Sequence, residues 1–367
     1  MNNRDILIAL HHMPGVGSRT IELVLQHVPD FAGMTVRDLQ HLTIPGLTPA
    51  RAAALSKGWA GLSAELMEER TDSYREKGIS CITRWDEEYP ELLREMPDAP
   101  WVLYARGDVL LLKRDCIAMV GTRTPTAYGR AAAEGLSEGL SAAGFCVVSG
   151  MARGIDSCAH LGALKAQGGT IAVLGCAIDE IYPPENKGLY YRMAEHALLV
   201  SEYPVGTKSH PGLFPQRNRI IAGLSLGVVV VEAALRSGSL ITADQALEAS
   251  RDVFAVPGPI SSPKSQGTLS LLKQGAKLVS SAEDIVEEYA DRISFPSSAY
   301  IIGTGGTLPE LEPDESRICD LLLDRPMNVD ELLAASGFTF GHLHSVLINL
   351  LMMRRIAELP GAVYTVP

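Results

Sequence analysis

The middle of the chain repeats one pattern, in which short apolar runs alternate with stretches of helical spacing. Apolar runs of this length, bounded by glycine and polar residues, are typical of strands buried on both faces of a parallel sheet. Their alternation with helices predicts an α/β fold with a doubly wound sheet, which binds ligands at the carboxyl ends of its strands. The predicted strands are 116–120, 145–149, 170–174, 197–201, 226–231, 252–256 and 277–279.

The first sixty residues contain two glycine-bearing turns between apolar helical stretches. The first turn is Pro-Gly-Val-Gly at 14–17, and the second contains Pro45 and Gly46. Such a turn leaves backbone N–H groups free at the start of the following helix. The pattern resembles a helix-hairpin-helix pair, a module that usually grips DNA phosphates. A small helical bundle that uses the same turns only for packing is the alternative.

The last seventy residues separate into a linker and a small folded unit. Residues 293–313 have the Ser, Gly and Pro content of a linker. Residues 314–367 contain three helical patterns followed by apolar segments around Pro360 and Gly361, which resembles a winged helix. We therefore predict a helical domain at 1–80, an α/β core at 81–292, the linker at 293–313 and a winged-helix-like domain at 314–367.

The composition indicates in which cellular compartment the protein works, but says less about its function. The 367 residues include 32 Lys and Arg against 43 Asp and Glu, so the net charge is -11. An acidic chain binds nucleic acid only through a local basic patch. The six cysteines show no CxxC pairing, which predicts a reducing, cytoplasmic compartment and no metal site. No apolar run reaches membrane length, so no membrane partner is expected.

Small and basic residues follow several of the predicted strands. They occur at 121–123 after the first strand, at 149–156 after the second and at 237–239 after the fifth. Since the carboxyl ends of parallel strands meet at one edge of a sheet, these loops should converge. The turn at 237–239 opens a helix, whose N-terminus favours anions.

The segment before the fifth predicted strand contains an aromatic side chain and two arginines. Phe214 is followed closely by Arg217 and Arg219. Together with the turn at 237–239, this segment offers a stacking surface, positive charge and a phosphate-binding helix start. An ordinary strand-loop-helix unit with surface arginines is the alternative interpretation.

Motifs for catalysis and cofactors are missing from the sequence. A P-loop, a GxGxxG fingerprint, a GxSxG elbow and an HExxH helix are all absent. Asp156 and His160 have i, i+4 spacing, but we interpret them as a helix N-terminal carboxylate and a half-buried histidine that fix their loop. We therefore predict no catalytic residues and no cofactor.

Nine sequence motifs together resemble the DprA/Smf family of bacterial DNA-processing proteins. They lie between about residues 89 and 279 and include VGTR, SGMARGID, IYPPEN, SEYP, FPQRNRIIAGLS and VFAVPG. The resemblance implies a Rossmann-like core, with helix-hairpin-helix-like and winged-helix-like units at its two ends. It also implies a homodimer that binds single-stranded DNA and loads the RecA recombinase, in many bacteria during natural transformation.

The resemblance also assigns roles to individual residues. Arg123 would contact a backbone phosphate, Phe214 would stack on an unpaired base, and Arg217 and Arg219 would line the same groove. Because a duplex hides its base faces, a stacking residue in a basic pocket selects single strands. The residues expected to bind DNA are Gly121, Thr122, Arg123, Ser149, Gly150, Arg153, Gly154, Phe214, Arg217, Asn218, Arg219, Ser237, Gly238, Ser239 and Thr242.

Two other functions compete with this one. An enzyme or sensor for a nucleotide-type ligand would use the same glycine-rich rim. A transcription regulator acting through the terminal winged helix is a weaker alternative, because the would-be recognition helix carries few basic residues.

Overall fold

The computed structural model divides the chain into two compact units, Met1–Ser294 and Phe295–Pro367. It describes residues 2–28, 30, 35, 37–38, 41, 43–290, 313–352, 355–359 and 363–365. The predicted linker at 293–313 lies outside the described residues except for its last position. The turn at Pro360 and Gly361 also lies outside them.

A sheet of nine strands forms the centre of the first unit. Its strands are β1 Ser80–Thr83, β2 Val102–Gly107, β3 Cys116–Val120, β4 Cys146–Ser149, β5 Thr170–Leu174, β6 Leu198–Ser201, β7 Gly227–Val230, β8 Asp252–Ala255 and β9 Lys277–Leu278. Their order across the sheet is β1-β2-β6-β5-β4-β3-β7-β8-β9. The strands from β3 to β9 pair in parallel, whereas β2 pairs antiparallel with both β1 and β6.

The strand order confirms the doubly wound sheet. The chain enters the parallel part at β3, winds outward to β6, returns to β7 beside β3 and continues to β9. The order therefore reverses between β3 and β7, and in open α/β sheets this switch point is where ligands bind. All seven predicted strands are present, with ends within one residue of the observed ones.

Helices cover both faces of the sheet. Those of the first unit are α1 Asn3–His12, α2 Ser18–His27, α3 Pro49–Ala60, α4 Ala64–Glu76, α5 Glu91–Arg94, α6 Ala127–Ala142, α7 Ile155–Ala163, α8 Lys187–His196, α9 Leu213–Gly223, α10 Gly238–Glu248, α11 Gln266–Lys273 and α12 Glu283–Val286. Alternate residues of β3 enter different cores, since Ile117 and Met119 belong to one hydrophobic cluster and Ala118 and Val120 to the other. This two-sided burial explains why the strands are continuous apolar runs.

The N-terminal helices attach to the antiparallel end of the sheet through a buried polar network. Tyr104 on β2 bonds through its hydroxyl to His11 Nδ1 at 3.0 Å and to His12 Nε2 at 3.0 Å. The Tyr74 hydroxyl on α4 bonds to the same His12 Nε2 at 2.9 Å. Burial lowers the pKa of His11 to about 4 and, with smaller effects of neighbouring charges, the pKa of His12 to about 3. The helices and the sheet thus belong to one unit, and a domain boundary at residue 80 stays a prediction.

The second unit has the architecture of a winged helix. It contains α13 Pro313–Asp324, β10 Met327–Asn328, α14 Val329–Ser336, α15 Phe340–Met352, β11 Ala357–Leu359 and β12 Val363–Thr365. Its strands pair antiparallel in the order β10-β12-β11. Ile318, Leu332 and Leu343 are among the fully buried side chains of its own core. No helix in the described part of the chain is both long and apolar enough to cross a membrane.

Candidate functional site

A cavity of about 530 Å³ opens at the switch point between β3 and β7. It is bounded by the loop after β3, by α9 and by the start of α10. A smaller cavity adjoins it, and the two share Arg123, Ala152, Tyr182, Phe214 and Arg217. The predicted residues that line one or both cavities are Gly121, Thr122, Arg123, Gly150, Arg153, Phe214, Arg217, Asn218, Ser237, Gly238, Ser239 and Thr242.

The loop after β3 is fixed by a buried carboxylate. Glu232 accepts hydrogen bonds from Thr126 N at 2.8 Å and from Thr126 Oγ1 at 2.6 Å, and its carbonyl accepts from Thr122 N at 2.7 Å. Gly154 lies against the same loop with φ of +81°, and a Cβ there would stand 2.4 Å from the carbonyl oxygen of Thr122. These contacts hold the backbone on both sides of Arg123, whose guanidinium forms no hydrogen bond or ion pair within the described residues.

Helix α9 explains which residues of its segment reach the cavity. Phe214, Arg217 and Asn218 lie at i, i+3 and i+4 and therefore share one face of the helix, which lines the cavity. Arg219 lies two residues beyond Arg217, so it points to a different side of α9. Arg217 and Arg219 are close in the sequence and were predicted to line the same groove, but the helical spacing places them on different sides of α9.

The ring of Phe214 lies in a small aromatic and cationic cluster. It is tilted by 33° against Tyr182 with 5.2 Å between the ring centroids. The Arg123 guanidinium carbon lies 5.8 Å from the centre of the same ring. Gly175 permits this packing, because a Cβ at that position would stand 2.5 Å from the ring. The cluster combines a half-buried π surface with a cation that has no acidic partner among the described residues.

Arg217 provides a fixed positive charge at the floor of the cavity. Only 4% of it is exposed, and its Nη1 donates to the carbonyl oxygens of Gly150, at 2.6 Å, and Val173. Asp156 accepts from the backbone N–H groups of Gly150, at 3.2 Å, and Ala152, at 3.3 Å. Burial lowers the pKa of Arg217 and raises the pKa of Asp156, and each charge partly offsets the shift of the other. The two residues therefore brace the loop after β4.

His160 lies behind the same loop. It is fully buried and not half-buried as predicted from its sequence position, and its Nδ1 lies 2.7 Å from Thr170 Oγ1. Burial is the main cause that lowers its pKa to about 3. Asp156 thus fixes the loop after β4, whereas the hydrogen bond of His160 goes to Thr170 on β5. The interpretation that both residues fix the loop stays a prediction.

The start of α10 forms the third wall. Ser237 is its N-cap, with its Oγ 3.3 Å from Ser239 N and 2.7 Å from Ser239 Oγ. The first N–H groups of a helix lack partners within it, and the helix dipole favours anions there. Arg236, which directly precedes this turn, is exposed and lines the cavity. At this wall, the N-terminus of α10 and the exposed guanidinium of Arg236 therefore lie next to each other at the cavity mouth.

Arg236 and Tyr182 were missing from the residues predicted to bind DNA. Arg236 directly precedes the Ser-Gly-Ser turn, so its position in the sequence could have identified it. Tyr182 follows β5 by several residues, and nothing in its local sequence indicates that it lies beside Phe214.

Three predicted residues do not line either cavity. Ser149 is fully buried and donates to the Met119 carbonyl at 2.6 Å, while Gly154 supports the loop after β3. Arg219 bonds to both carboxylate oxygens of Glu202, at 2.6 and 2.7 Å, and its Nε lies 3.2 Å from Asp98. The contacts of these three residues support the loops and the fold around the cavity.

Replacing Arg219 by methionine is expected to destabilise the fold while leaving the cavity intact. Only 13% of its side chain and 9% of the Glu202 side chain are exposed, so the substitution leaves a buried carboxylate without its cation. We expect a loss of about 3 kcal/mol in the free energy of unfolding, measured by urea denaturation. The double variant Arg219→Met/Glu202→Met should recover part of that loss, and equal stability of wild type and single variant would contradict this role.

The family model for DNA recombination-mediator protein A matches residues 80–290. The model for the DprA winged helix domain matches residues 304–362. The chain therefore belongs to the DprA/Smf family of recombination-mediator proteins, as its motifs predicted. This is a family of DNA-binding mediators and not of enzymes, so the enzyme alternative is not retained.

Relatives and solved structures agree with this assignment. The chain is 35% identical over 328 residues to Protein Smf of Synechocystis, covering 80% of this chain and 81% of that one. It is 48% identical over 221 residues to DNA processing protein DprA of Bacillus subtilis, covering 60% and 74%. The X-ray structure of DprA from Streptococcus pneumoniae matches with a TM-score of 0.70 and 35% identity, covering 78% of this chain and 99% of that one.

A second solved structure concerns single-stranded DNA binding. DNA processing protein A from Helicobacter pylori, which has a single-stranded DNA binding mode, matches with a TM-score of 0.53 and 31% identity. The match covers 58% of this chain and 96% of that one.

Proposed function

We propose that this protein binds single-stranded DNA in the switch-point cavity and delivers it to the RecA recombinase in the cytoplasm. The observation that carries the proposal is the cluster of Phe214, Arg123 and Arg217 beside the N-terminus of α10. The ring can stack on a base, the helix start can hold a phosphate, and the arginines supply the charge. Single-strand binding by the Helicobacter pylori relative supports it.

Local charge makes this binding compatible with an acidic chain. Arg123, Arg217 and Arg236 line the cavity, and Asp156 is the one acidic residue among those that line it. Asp156 is held by backbone N–H groups on its own loop. Arg123 and Arg236 are exposed, whereas Arg217 supplies its charge from the buried floor of the cavity. The net charge of -11 resides elsewhere, and a clustered set of cations can still attract phosphates.

Titrating labelled oligo-dT and a matched duplex with the protein tests the proposal by fluorescence anisotropy. We expect the single strand to bind more tightly, because the duplex does not expose base faces to Phe214. With the two exposed cations Arg123 and Arg236 engaged, the slope of log affinity against log salt should be about -1.4. Equal binding of the duplex would contradict the stacking cavity, and strong competition by a mononucleotide would favour the nucleotide-sensor alternative.

Dimerisation and RecA loading are further parts of the proposal. Two cavities on one strand would raise the apparent affinity through effective concentration, which suits a site that holds few nucleotides. Light scattering coupled to gel filtration should give twice the 39.4 kDa mass of one chain. For RecA, the assembly rate on oligo-dT should rise when this protein is present, and an unchanged rate would contradict the delivery role.

Replacing Glu185 by glutamine is expected to tighten single-strand binding at low salt. Glu185 pairs with Arg153 at 2.5 Å beside the smaller cavity, so it competes with a phosphate for this cation. Both side chains are more than half exposed, so the gain should be only a few-fold and should vanish at high salt. Glu180→Gln is the matched control, because Glu180 pairs with Lys208 and lines neither cavity. Equal effects of the two substitutions would rule out a specific role of Arg153.

A further inference from the structure

A second cleft, of about 450 Å³, lies between α1, α4 and the start of β1. Three arginines line it, Arg4 from α1 and Arg70 and Arg75 from α4, together with Tyr74 and the first residues of β1. No aspartate or glutamate is among the described residues that line this cleft. Its volume lies within the range of about 300–1,000 Å³ that is usual for small-molecule sites.

The strand directions separate this cleft from the switch-point cavity. Strand β1 is antiparallel to β2, and β2 is antiparallel to β6, so β1 runs in the same direction as the parallel strands. The cleft includes Ser80 and Cys81 at the start of β1 and therefore lies at the amino edge of the sheet. The switch-point cavity lies at the carboxyl edge. The two sites are distinct.

The positive charge of the cleft is only partly neutralised. Arg4 Nε lies 3.0 Å from both carboxylate oxygens of Asp86, and Arg75 pairs with Asp72 at 2.6 Å. Arg70 forms no hydrogen bond or ion pair within residues that the structure describes. Its charge lies close enough to His12 to help lower the pKa of that histidine, although burial is the larger cause. The cleft thus presents a guanidinium that is free to bind an anion.

The walls of the cleft are preformed. The Tyr74 hydroxyl is held by His12 at 2.9 Å, and through His12 the wall connects to Tyr104 in the sheet. The outer edge of β1 is also occupied, because the Cys81 carbonyl accepts from Arg4 Nη2 at 2.6 Å and Thr83 N donates to Asp86 at 2.8 Å. An extended peptide therefore cannot add to this edge as a strand. A compact ligand fits the cleft better.

We propose that this cleft binds a phosphate-bearing small molecule of nucleotide size, with Arg70 as its main anchor. A guanidinium matches the terminal oxygens of a phosphate with two parallel hydrogen bonds, and Arg4 and Arg75 add further donors at the same cleft. The ligand would bridge α1, α4 and β1, so it stabilises the packing of the N-terminal helices on the sheet. This site is independent of the switch-point cavity.

Isothermal titration of the full chain with ATP and with adenosine tests this inference. The titration uses the variant Arg123→Ala/Phe214→Ala, so that a nucleotide in the switch-point cavity does not contribute. We expect ATP to bind and to raise the melting temperature, and adenosine to do neither. Adding Arg70→Gln should weaken ATP binding by about tenfold or more.

The control is Arg51→Gln, which removes an exposed arginine of α3 that does not line the cleft. It should leave ATP affinity unchanged. Absence of ATP binding, or equal ATP affinity with and without Arg70→Gln, would overturn the proposal. Binding of oligo-dT through Arg70 in the same variant would also overturn it, because the cleft would then hold a strand and not a small molecule.

Discussion

Replacing Phe214 and Arg123 together by alanine is expected to weaken the binding of oligo-dT by about a hundredfold or more. Stacking of a base on an aromatic ring contributes about 1–3 kcal/mol, and a hydrogen bond to a charged group about 1.5–3 kcal/mol. The two losses together correspond to about two factors of ten or more in the dissociation constant. Anisotropy of labelled oligo-dT at low salt measures the change directly.

A matched control for this double variant exists on α8. Tyr191 and Arg192 are an exposed ring and an exposed cation that line neither cavity. Tyr191→Ala/Arg192→Ala should therefore bind oligo-dT like the wild type. Because Phe214 is half-buried, thermal melting of the variant must first establish that it folds. A folded Phe214→Ala/Arg123→Ala variant with wild-type affinity would refute the assignment of the cavity.

Lowering the pH from 7.5 to 5 is expected to destabilise the first unit through the buried His160 and the partly buried His11 and His12. Burial lowers the pKa of His11 to about 4 and of both His12 and His160 to about 3, from the ordinary value of 6.5. Below pH 6.5 the unfolded chain therefore binds protons that the folded chain does not. Each histidine should cost about 2 kcal/mol of unfolding free energy at pH 5.

Two buried carboxylates act in the opposite direction at lower pH. Burial raises the pKa of Asp156 and Glu202, so in the window between their ordinary and their raised pKa values the folded state takes up the protons first. Protonation in that window stabilises the folded state. The contribution of one histidine is therefore best measured as a difference between variants and not from the total pH dependence.

His160→Gln isolates one histidine contribution. Urea denaturation measures how much unfolding free energy each protein loses between pH 7.5 and pH 5. This loss should be about 2 kcal/mol smaller in the variant than in the wild type, because the variant lacks a histidine that takes up a proton only when the chain unfolds. An identical pH dependence of His160→Gln and the wild type would contradict the buried, neutral state of His160.

The sequence alone determined the architecture of the core. A strand covered on both faces is mostly apolar, so the central strands of the parallel sheet are visible as near-continuous apolar runs such as 226–231. Alternation with helices then implies parallel order, and parallel order brings the loops after β3 and β7 to one edge. This is why Arg123 and the turn at Ser237 could be assigned to one site from their positions in the chain.

Local sequence also indicated that the Phe214 segment belongs to that site, but not how its side chains are oriented. The helix α9 places Phe214 and Arg217 on one face, while Arg219 points toward Glu202. The sequence does not show which way a charged side chain points until the orientation of its helix in the fold is known. The partner carboxylate lies on a different element, 17 positions earlier in the chain.

Only the tertiary structure decided which polar groups are fixed and which are free. Arg217 is held by carbonyl oxygens from β5 and from the loop after β4, and Tyr182 reaches Phe214 from a separate loop. Among the described residues Arg70 forms no ion pair, whereas Arg4 in the same cleft pairs with Asp86. Hydrophobic periodicity is a local property, because each helix or strand shows it in its own sequence. Polar side chains, in contrast, find their partners on elements that are distant in the chain. The geometry of these polar contacts therefore exists only in the folded molecule.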